Sequence, residues 1–230
     1  MHEPVLLSIL FHLDTATIFG KELHTSHIFY TWIGMAVLFF VAWLVRKRIS
    51  MVPGQLQNFW ESMIQPLEDF AIENLGENAG RVFFPLLGAL FIYILFMNLM
   101  GLLPLFDAPT ANLNTNVGMA LLVFFLYHAV GFRQHGIGYL KHFCGPVKVL
   151  APFMFPIEII NHCARPLSLT LRLFGNIKGE ELVLLVVMML APVLGTLPLM
   201  FLFIFVKILQ AFIFYLLSMI YIQGSLEEAH

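Results

Sequence analysis

The chain has 230 residues, of which 60% are hydrophobic and 11% are charged, whereas soluble domains average about 45–50% and about 25%. A soluble fold of this length cannot bury so many apolar side chains, so the composition predicts a polytopic membrane protein. The net charge of −2 excludes the basic surface that a nucleic-acid-binding protein needs. Cys144 and Cys163 show no metal-binding or disulfide spacing, and no cofactor is expected.

Segment 1–27 is predicted to be an external N-terminus. It is not typical of a cleavable signal peptide, because it lacks a basic n-region and because His12 and Asp14 interrupt its apolar stretch. The hydrophobic passages after it are long enough to enter or cross a bilayer. There are five of them: Ile28–Val45, Val82–Leu103, Val117–Phe132, Val149–Ala191 and Leu197–Ile222.

These passages predict an all-α membrane protein with about five embedded helices in a single domain, residues 1–230. They group into two helical hairpins, residues 82–132 and residues 149–222. Pro192, Gly195 and Pro198 mark the turn of the second hairpin.

Lysine and arginine positions predict the orientation in the membrane. Only Lys21 lies on one side of the passages, and seven basic residues lie on the other: Arg46, Lys47, Arg48, Arg81, Arg133, Lys141 and Lys148. This excess predicts that the N-terminus lies outside and that, after five crossings, the C-terminus is cytoplasmic.

Residues 55–79 are predicted to form an amphipathic helix in the cytoplasmic interface rather than a span. Apolar residues recur near helical spacing from Leu56 to Ile72. Acidic residues take the other positions: Glu61, Glu68, Asp69 and Glu73. A solvated polar face is the favoured interpretation of this acidity, and contact with a partner subunit is the alternative.

The fourth passage carries a polar stripe. Six residues follow one another at spacings of 3, 4, 3, 4 and 4. On a helical wheel all of them fall within roughly 40° of Arg172, which is one of the six. They are Glu158, Asn161, Arg165, Ser168, Arg172 and Asn176. Asn161 and Ser168 suit a proton path or interhelical hydrogen bonds equally well, and Arg165 lies near enough to the cytoplasmic side to snorkel.

Arg172 is the most informative member of the stripe. Its guanidinium cannot deprotonate, and no carboxylate lies three or four residues away. Glu158 is about 21 Å away along a helix, and Glu180 and Glu181 are about 12–13.5 Å away. The counter-charge is therefore expected to come from water or from another polypeptide.

The acidic residues lie on either side of Arg172, Glu158 toward the cytoplasm and Glu180 and Glu181 toward the outside. This arrangement predicts two polar pockets divided by a fixed cation. An alternative for the outer pair is an interfacial ion pair between Lys178 and Glu181, with Glu180 the likelier of the two to be merely solvated.

Other polar residues in the spans carry weaker signals. Gln210 can reach across the hairpin toward Arg172 or Asn176, and the role of Lys207 is open. Asn98 and His128 are more often satisfied bundle contacts than relay members.

Four segments, in order along the chain, resemble motifs of one family. Leu169–Asn176 resembles the signature of subunit a of the rotary F-type ATP synthase in its bacterial form, and Leu209–Phe214 resembles that family's second motif. Phe96–Pro104 and Pro109–Asn112 resemble two more. The resemblance implies a stator subunit, not an enzyme on its own, whose last two helices form a long tilted hairpin.

The resemblance also implies partners and a location. The partners are a ring of c subunits, a peripheral stalk of b subunits, the soluble ATPase sector and the lipid bilayer, with no nucleic acid. The location is a bacterial inner membrane. Coupling to sodium rather than protons stays open, whereas a secondary transporter is less favoured because two related halves and broken helices are not visible.

The motifs imply roles for single residues. Arg172 matches the essential arginine that keeps each arriving ring carboxylate ionised and prevents leakage between two proton half-channels. Asn176, Glu181 and Gln210 match positions of the outer half-channel, and Glu158 matches an acidic position on the cytoplasmic side.

Asn98 matches an asparagine of the second spanning helix. Phe203 stands where the family often has a histidine, and Glu180 stands where some members have a small residue. These departures imply an outer relay that runs through Glu180 and Glu181.

Overall fold

The computed structural model describes residues 15–18, 21–24, 26–47, 49–51, 53–102, 108–139 and 151–226, and these are nearly all helical. The helices are α1 (Ser26–Lys47), α2 (Gln55–Leu75), α3 (Glu77–Met100), α4 (Leu113–His135), α5 (Ala151–Leu190) and α6 (Thr196–Leu226). Predictions that concern Arg48, Lys141, Lys148 and the C-terminus lie outside the described residues.

An antiparallel pair of short strands precedes α1, and the sequence analysis did not predict it. Thr15–Ile18 forms β1 and Lys21–His24 forms β2, with Thr15 opposite His24 and Ile18 opposite Lys21. The pair is too short to change the class of the fold, which is an all-α polytopic membrane protein.

Four of the described helices are long and apolar enough to cross a membrane, by length and composition. They are Ile28–Lys47 within α1, α3, α4 and α6, which correspond to four of the five predicted passages. The remaining passage forms α5, a single helix of 40 residues that continues through Pro156 and Pro166. At 1.5 Å per residue it is about 60 Å long, twice the hydrocarbon thickness, so it can lie within a bilayer only if it is steeply tilted.

The turn between α5 and α6 lies where the sequence predicted it, at residues 191–195. Helix α2, which the sequence predicts to be interfacial, ends four residues earlier than predicted, because Gly76 adopts a φ of 83° and its N–H caps the carbonyl of Ile72. The chain then turns directly into α3. A side chain on Gly80 would lie 2.7 Å from the Cα of Ile72, so glycine permits this tight packing of α3 on α2.

The core lies between α3, α4, α5 and α6. Its fully buried members include Leu87, Tyr127, Leu173 and Tyr215, one from each of these helices. The Tyr215 hydroxyl also donates a 2.6 Å hydrogen bond to the carbonyl of Leu67, which ties α6 to α2. This packing fixes one face of α5 and leaves its opposite face exposed.

Candidate functional site

Arg172 lies on α5 at the border between the buried and the exposed face of the helix. Its Nη2 atom lies 3.4 Å from Ser168 Oγ, one helical turn back. Within the described part of the chain, no carboxylate oxygen lies within 4.0 Å of its guanidinium. A partly buried cation of this kind needs a charge partner from outside the described residues.

The face of α5 beside Arg172 is open. Leu171 is 51% exposed, and a Cβ added to Gly175 would meet no atom of another described element within 4 Å. Gly179, one turn further along, is open in the same way. Small residues permit close approach of helices, and here no described helix of this chain uses that space.

Asn176 and Gln210 form a bridge between α5 and α6 one turn from Arg172. Asn176 Nδ2 donates to Gln210 Oε1 over 2.5 Å, and Gln210 is buried. The prediction that Gln210 reaches across the hairpin is confirmed, with Asn176 as its partner.

A second bridge lies one turn further along α5. Lys207 Nζ lies 2.7 Å from Glu180 Oε2, and only 5% and 11% of the two side chains are exposed. The prediction that Glu180 is the likelier of the two glutamates to be merely solvated is therefore wrong, and Lys207 does not snorkel outward. A wheel of α5 alone could not show this, because the partner comes from α6, three residues before Gln210.

Glu181 is the more exposed of the two outer glutamates. It forms a 2.7 Å ion pair with Lys178, and both side chains are about half exposed. The ion pair that the sequence offered as an alternative for Glu181 is present.

The end of the stripe that lies nearer the start of α5 centres on Glu158. Asn161 Nδ2 lies 3.5 Å from one of its oxygens, and His162 Nε2 lies 3.4 Å from the other. His162 Nδ1 lies 3.0 Å from the hydroxyl of Tyr127 on α4. Sequence reasoning missed His162, because His162 directly follows Asn161 and therefore lies off the polar stripe. The available signal was its position four residues after Glu158, which brings the two side chains together on a helix.

Arg165 packs against aromatic rings of two other helices. Its guanidinium lies 5.6 Å from the ring centre of Tyr127 and 5.0 Å from that of Tyr221, in cation–π contact with both. Beyond the end of α4, burial raises the pKa of the Tyr139 phenol. The positive charge of Arg165 opposes that shift, and the negative charge of Glu158 adds to it.

Asn98 lies apart from the charged residues, in a buried polar cluster between α3 and α4. Its Oδ1 accepts a 2.7 Å hydrogen bond from the Thr110 hydroxyl, and Asn116 Nδ2 donates to the Thr110 carbonyl over 2.8 Å. His128 bonds the Phe124 carbonyl of its own helix at 2.9 Å. Asn98 therefore makes the contact between elements that the sequence favoured for it, and His128 contacts another helix through its ring, whose centre lies 5.1 Å from that of His162.

The described residues contain no group of three or more histidine, cysteine, aspartate and glutamate side chains that could hold a metal ion. The stripe instead presents acids and amides on both sides of one arginine. This arrangement can pass protons and stabilise a carboxylate.

Comparison with known proteins decides the family. Residues 28–223 match the family model described as ATP synthase A chain. The chain belongs to this family. It is 56% identical over 227 residues to ATP synthase subunit a of Nitratidesulfovibrio vulgaris (strain DP4), which covers 99% of the chain and 97% of the relative.

Other relatives agree along the whole length. The chain is 53% identical over 227 residues to ATP synthase subunit a of Oleidesulfovibrio alaskensis, with 99% of the chain and 97% of the relative covered. It is 47% identical over 230 residues to ATP synthase subunit a 1 of Pelobacter propionicus, with both proteins covered fully. Family membership thus rests on nearly the entire chain rather than on its motifs alone.

Proposed function

We propose that the chain is the proton-translocating subunit of the membrane sector of a rotary ATP synthase, with no catalytic activity of its own. The observation that carries the proposal is Arg172: a permanent cation, without a carboxylate partner in the described residues, beside an open helix face. A ring of c subunits that brings carboxylates past this face supplies the missing charge. The family match supports this assignment and does not favour the sodium-coupled alternative.

Arg172 acts by electrostatics. At an effective dielectric constant near 20, two unit charges about 4 Å apart attract by about 4 kcal/mol. This attraction stabilises the ionised form of an arriving ring carboxylate, which therefore releases its proton. The guanidinium itself stays charged at any working pH. It therefore also repels protons that would otherwise pass directly from one half-channel to the other.

The outer half-channel runs along the paired residues of α5 and α6. Asn176 and Gln210 lie next to Arg172, and the bridge of Glu180 with Lys207 follows one turn further out. Glu181, half exposed, forms the outer mouth.

The cytoplasmic half-channel runs along α5 on the other side of Arg172. Glu158 and Asn161 form its mouth, and Ser168, hydrogen-bonded to Arg172, lies at its inner end. Glu158 and Glu181, the two mouths, are 23 residues apart, about 35 Å along the helix. Because α5 is steeply tilted, their separation across the membrane is smaller than this distance.

The remaining assignments rest on the basic residues and on the family resemblance. The distribution of basic residues favours an N-terminus outside and a C-terminus in the cytoplasm, and the resemblance favours a bacterial inner membrane. The subunit then works beside a peripheral stalk of b subunits and below the soluble ATPase sector. The exposed acids of α2 take part in the solvated cytoplasmic surface.

Inverted membrane vesicles that carry the whole synthase test the proposal. Arg172→Lys is expected to abolish ATP-driven proton uptake, because a lysine ammonium lacks the planar, forked geometry of the guanidinium. Arg81→Lys is the matched control, since Arg81 is exposed and pairs only with Glu77 among the described residues. Normal proton uptake by the Arg172→Lys vesicles would contradict the proposed function.

A further inference from the structure

His162 is the buried ionisable group closest to the proposed cytoplasmic mouth. Only 6% of its side chain is exposed, and its two ring nitrogens face different helices. Nε2 lies 3.4 Å from Glu158 Oε1 on α5, and Nδ1 lies 3.0 Å from the Tyr127 hydroxyl on α4. The hydrogen bond at Nδ1 orients the ring so that Nε2 faces the Glu158 carboxyl group, and a defined ring orientation favours proton transfer.

Glu158 connects this buried ring to the surface of the protein. Its side chain is 27% exposed, so one part of the carboxyl group meets the surroundings while Oε1 faces His162. Asn161, which is exposed, contacts the other carboxyl oxygen. Glu158 is thus the accessible member of the pair and His162 the buried member.

The other groups around His162 come from three elements. On α4, the His128 ring centre lies 5.1 Å from that of His162. Arg165 of α5 covers the Tyr127 ring together with Tyr221 of α6. The ring-to-ring distance between Tyr127 and His162 is 5.7 Å, so one tyrosine contacts both the histidine and the arginine.

We propose that Glu158 and His162 form a proton-exchanging pair in the cytoplasmic half-channel, with Tyr127 as the residue that positions the imidazole. This inference rests on the proposed function and adds His162 and Tyr127 to its path. The proton of a neutral Glu158 carboxyl group moves from Oε1 to His162 Nε2, which leaves a carboxylate and an imidazolium. The reverse transfer restores both groups, and Nδ1–H donates to the Tyr127 oxygen throughout.

The expected effect is a change in pH dependence. In inverted vesicles the cytoplasmic face meets the medium, and protons enter the subunit through the proposed pair. As the medium becomes alkaline, proton capture limits the rate, so the loss of a proton-binding group at this mouth reduces pumping most at high pH.

The experiment measures ATP-driven proton uptake by vesicles with the whole synthase, in media from about pH 6 to about pH 9. His162→Gln keeps a polar side chain but cannot titrate. We expect it to reduce uptake by roughly tenfold or more at the alkaline end and by less than about twofold at the acid end. His128→Gln is the matched control and is expected to keep the parental profile.

Two results would overturn the proposal: a parental pH profile in His162→Gln, or a loss of uptake that is equal at all pH values. If His162→Gln fails to assemble, Tyr127→Phe decides, because it keeps the ring under Arg165 and removes only the hydroxyl. A smaller shift of its profile in the same direction supports the proposal, and an unchanged profile overturns it. If Arg172→Lys is inactive and His162→Gln keeps the parental profile, the role of His162 is refuted and the proposed function of the chain still holds.

Discussion

The bridge between Lys207 and Glu180 permits a quantitative test of how α5 and α6 are held together. Lys207→Met removes one charge of a pair whose side chains are 5% and 11% exposed, so it leaves a carboxylate buried without its counter-ion. Breaking a buried ion pair from one side costs about 3–5 kcal/mol. Replacing both members by uncharged residues of similar volume costs far less, because no unpaired charge is left behind.

The assay unfolds the detergent-solubilised chain with a denaturing detergent and monitors the loss of helix by circular dichroism. Lys207→Met is expected to lower the free energy of unfolding by about 3–5 kcal/mol, and Lys207→Met with Glu180→Gln is expected to recover most of that loss. Lys178→Met is the matched control, because its ion pair with Glu181 is about half exposed and is worth at most about 1 kcal/mol. Equal losses in Lys207→Met and Lys178→Met, or no recovery in the double variant, would refute the buried bridge.

Two further predictions concern the proposed outer path and the packing of α3. Gln210→Leu removes the acceptor of the partly buried Asn176 amide, which costs at most about 1–3 kcal/mol. ATP-driven proton uptake is expected to fall several-fold, and parental rates would contradict the outer path. Gly80→Ala places a methyl group 2.7 Å from the Ile72 Cα and is expected to destabilise the chain by about 1–3 kcal/mol. The same unfolding assay checks it, and a parental midpoint would show that α2 and α3 can separate without cost.

Periodicity and hydrophobicity were sufficient to predict the helices and to select many of the candidate site residues. The apolar passages predicted about five embedded helices, of which four are long and apolar enough to cross a membrane, and the break at residues 191–195 followed from Pro192 and Gly195. The missing carboxylate around Arg172 could be derived from spacing within one helix, because the distances along an α-helix are fixed.

Contacts between helices could not be derived in the same way. Lys207 and Glu180 pair because α5 and α6 run antiparallel at one particular register, and a single sequence does not specify that register. His162 was missed for a related reason: it lies off the polar stripe, and its partner Tyr127 belongs to α4. Glu180 was expected to be the more solvated of the two glutamates, but Glu181 is the more exposed one. The exposure of each side chain depends on which neighbouring helix covers it.

The most direct test of the central claim is the distance between the Arg172 guanidinium and the nearest carboxylate in an experimental structure of the assembled membrane sector. The account predicts a carboxylate of a neighbouring ring subunit within about 4 Å in at least one rotary position. An acidic side chain of this same chain at that distance, with no ring subunit on the open face of α5, would contradict it.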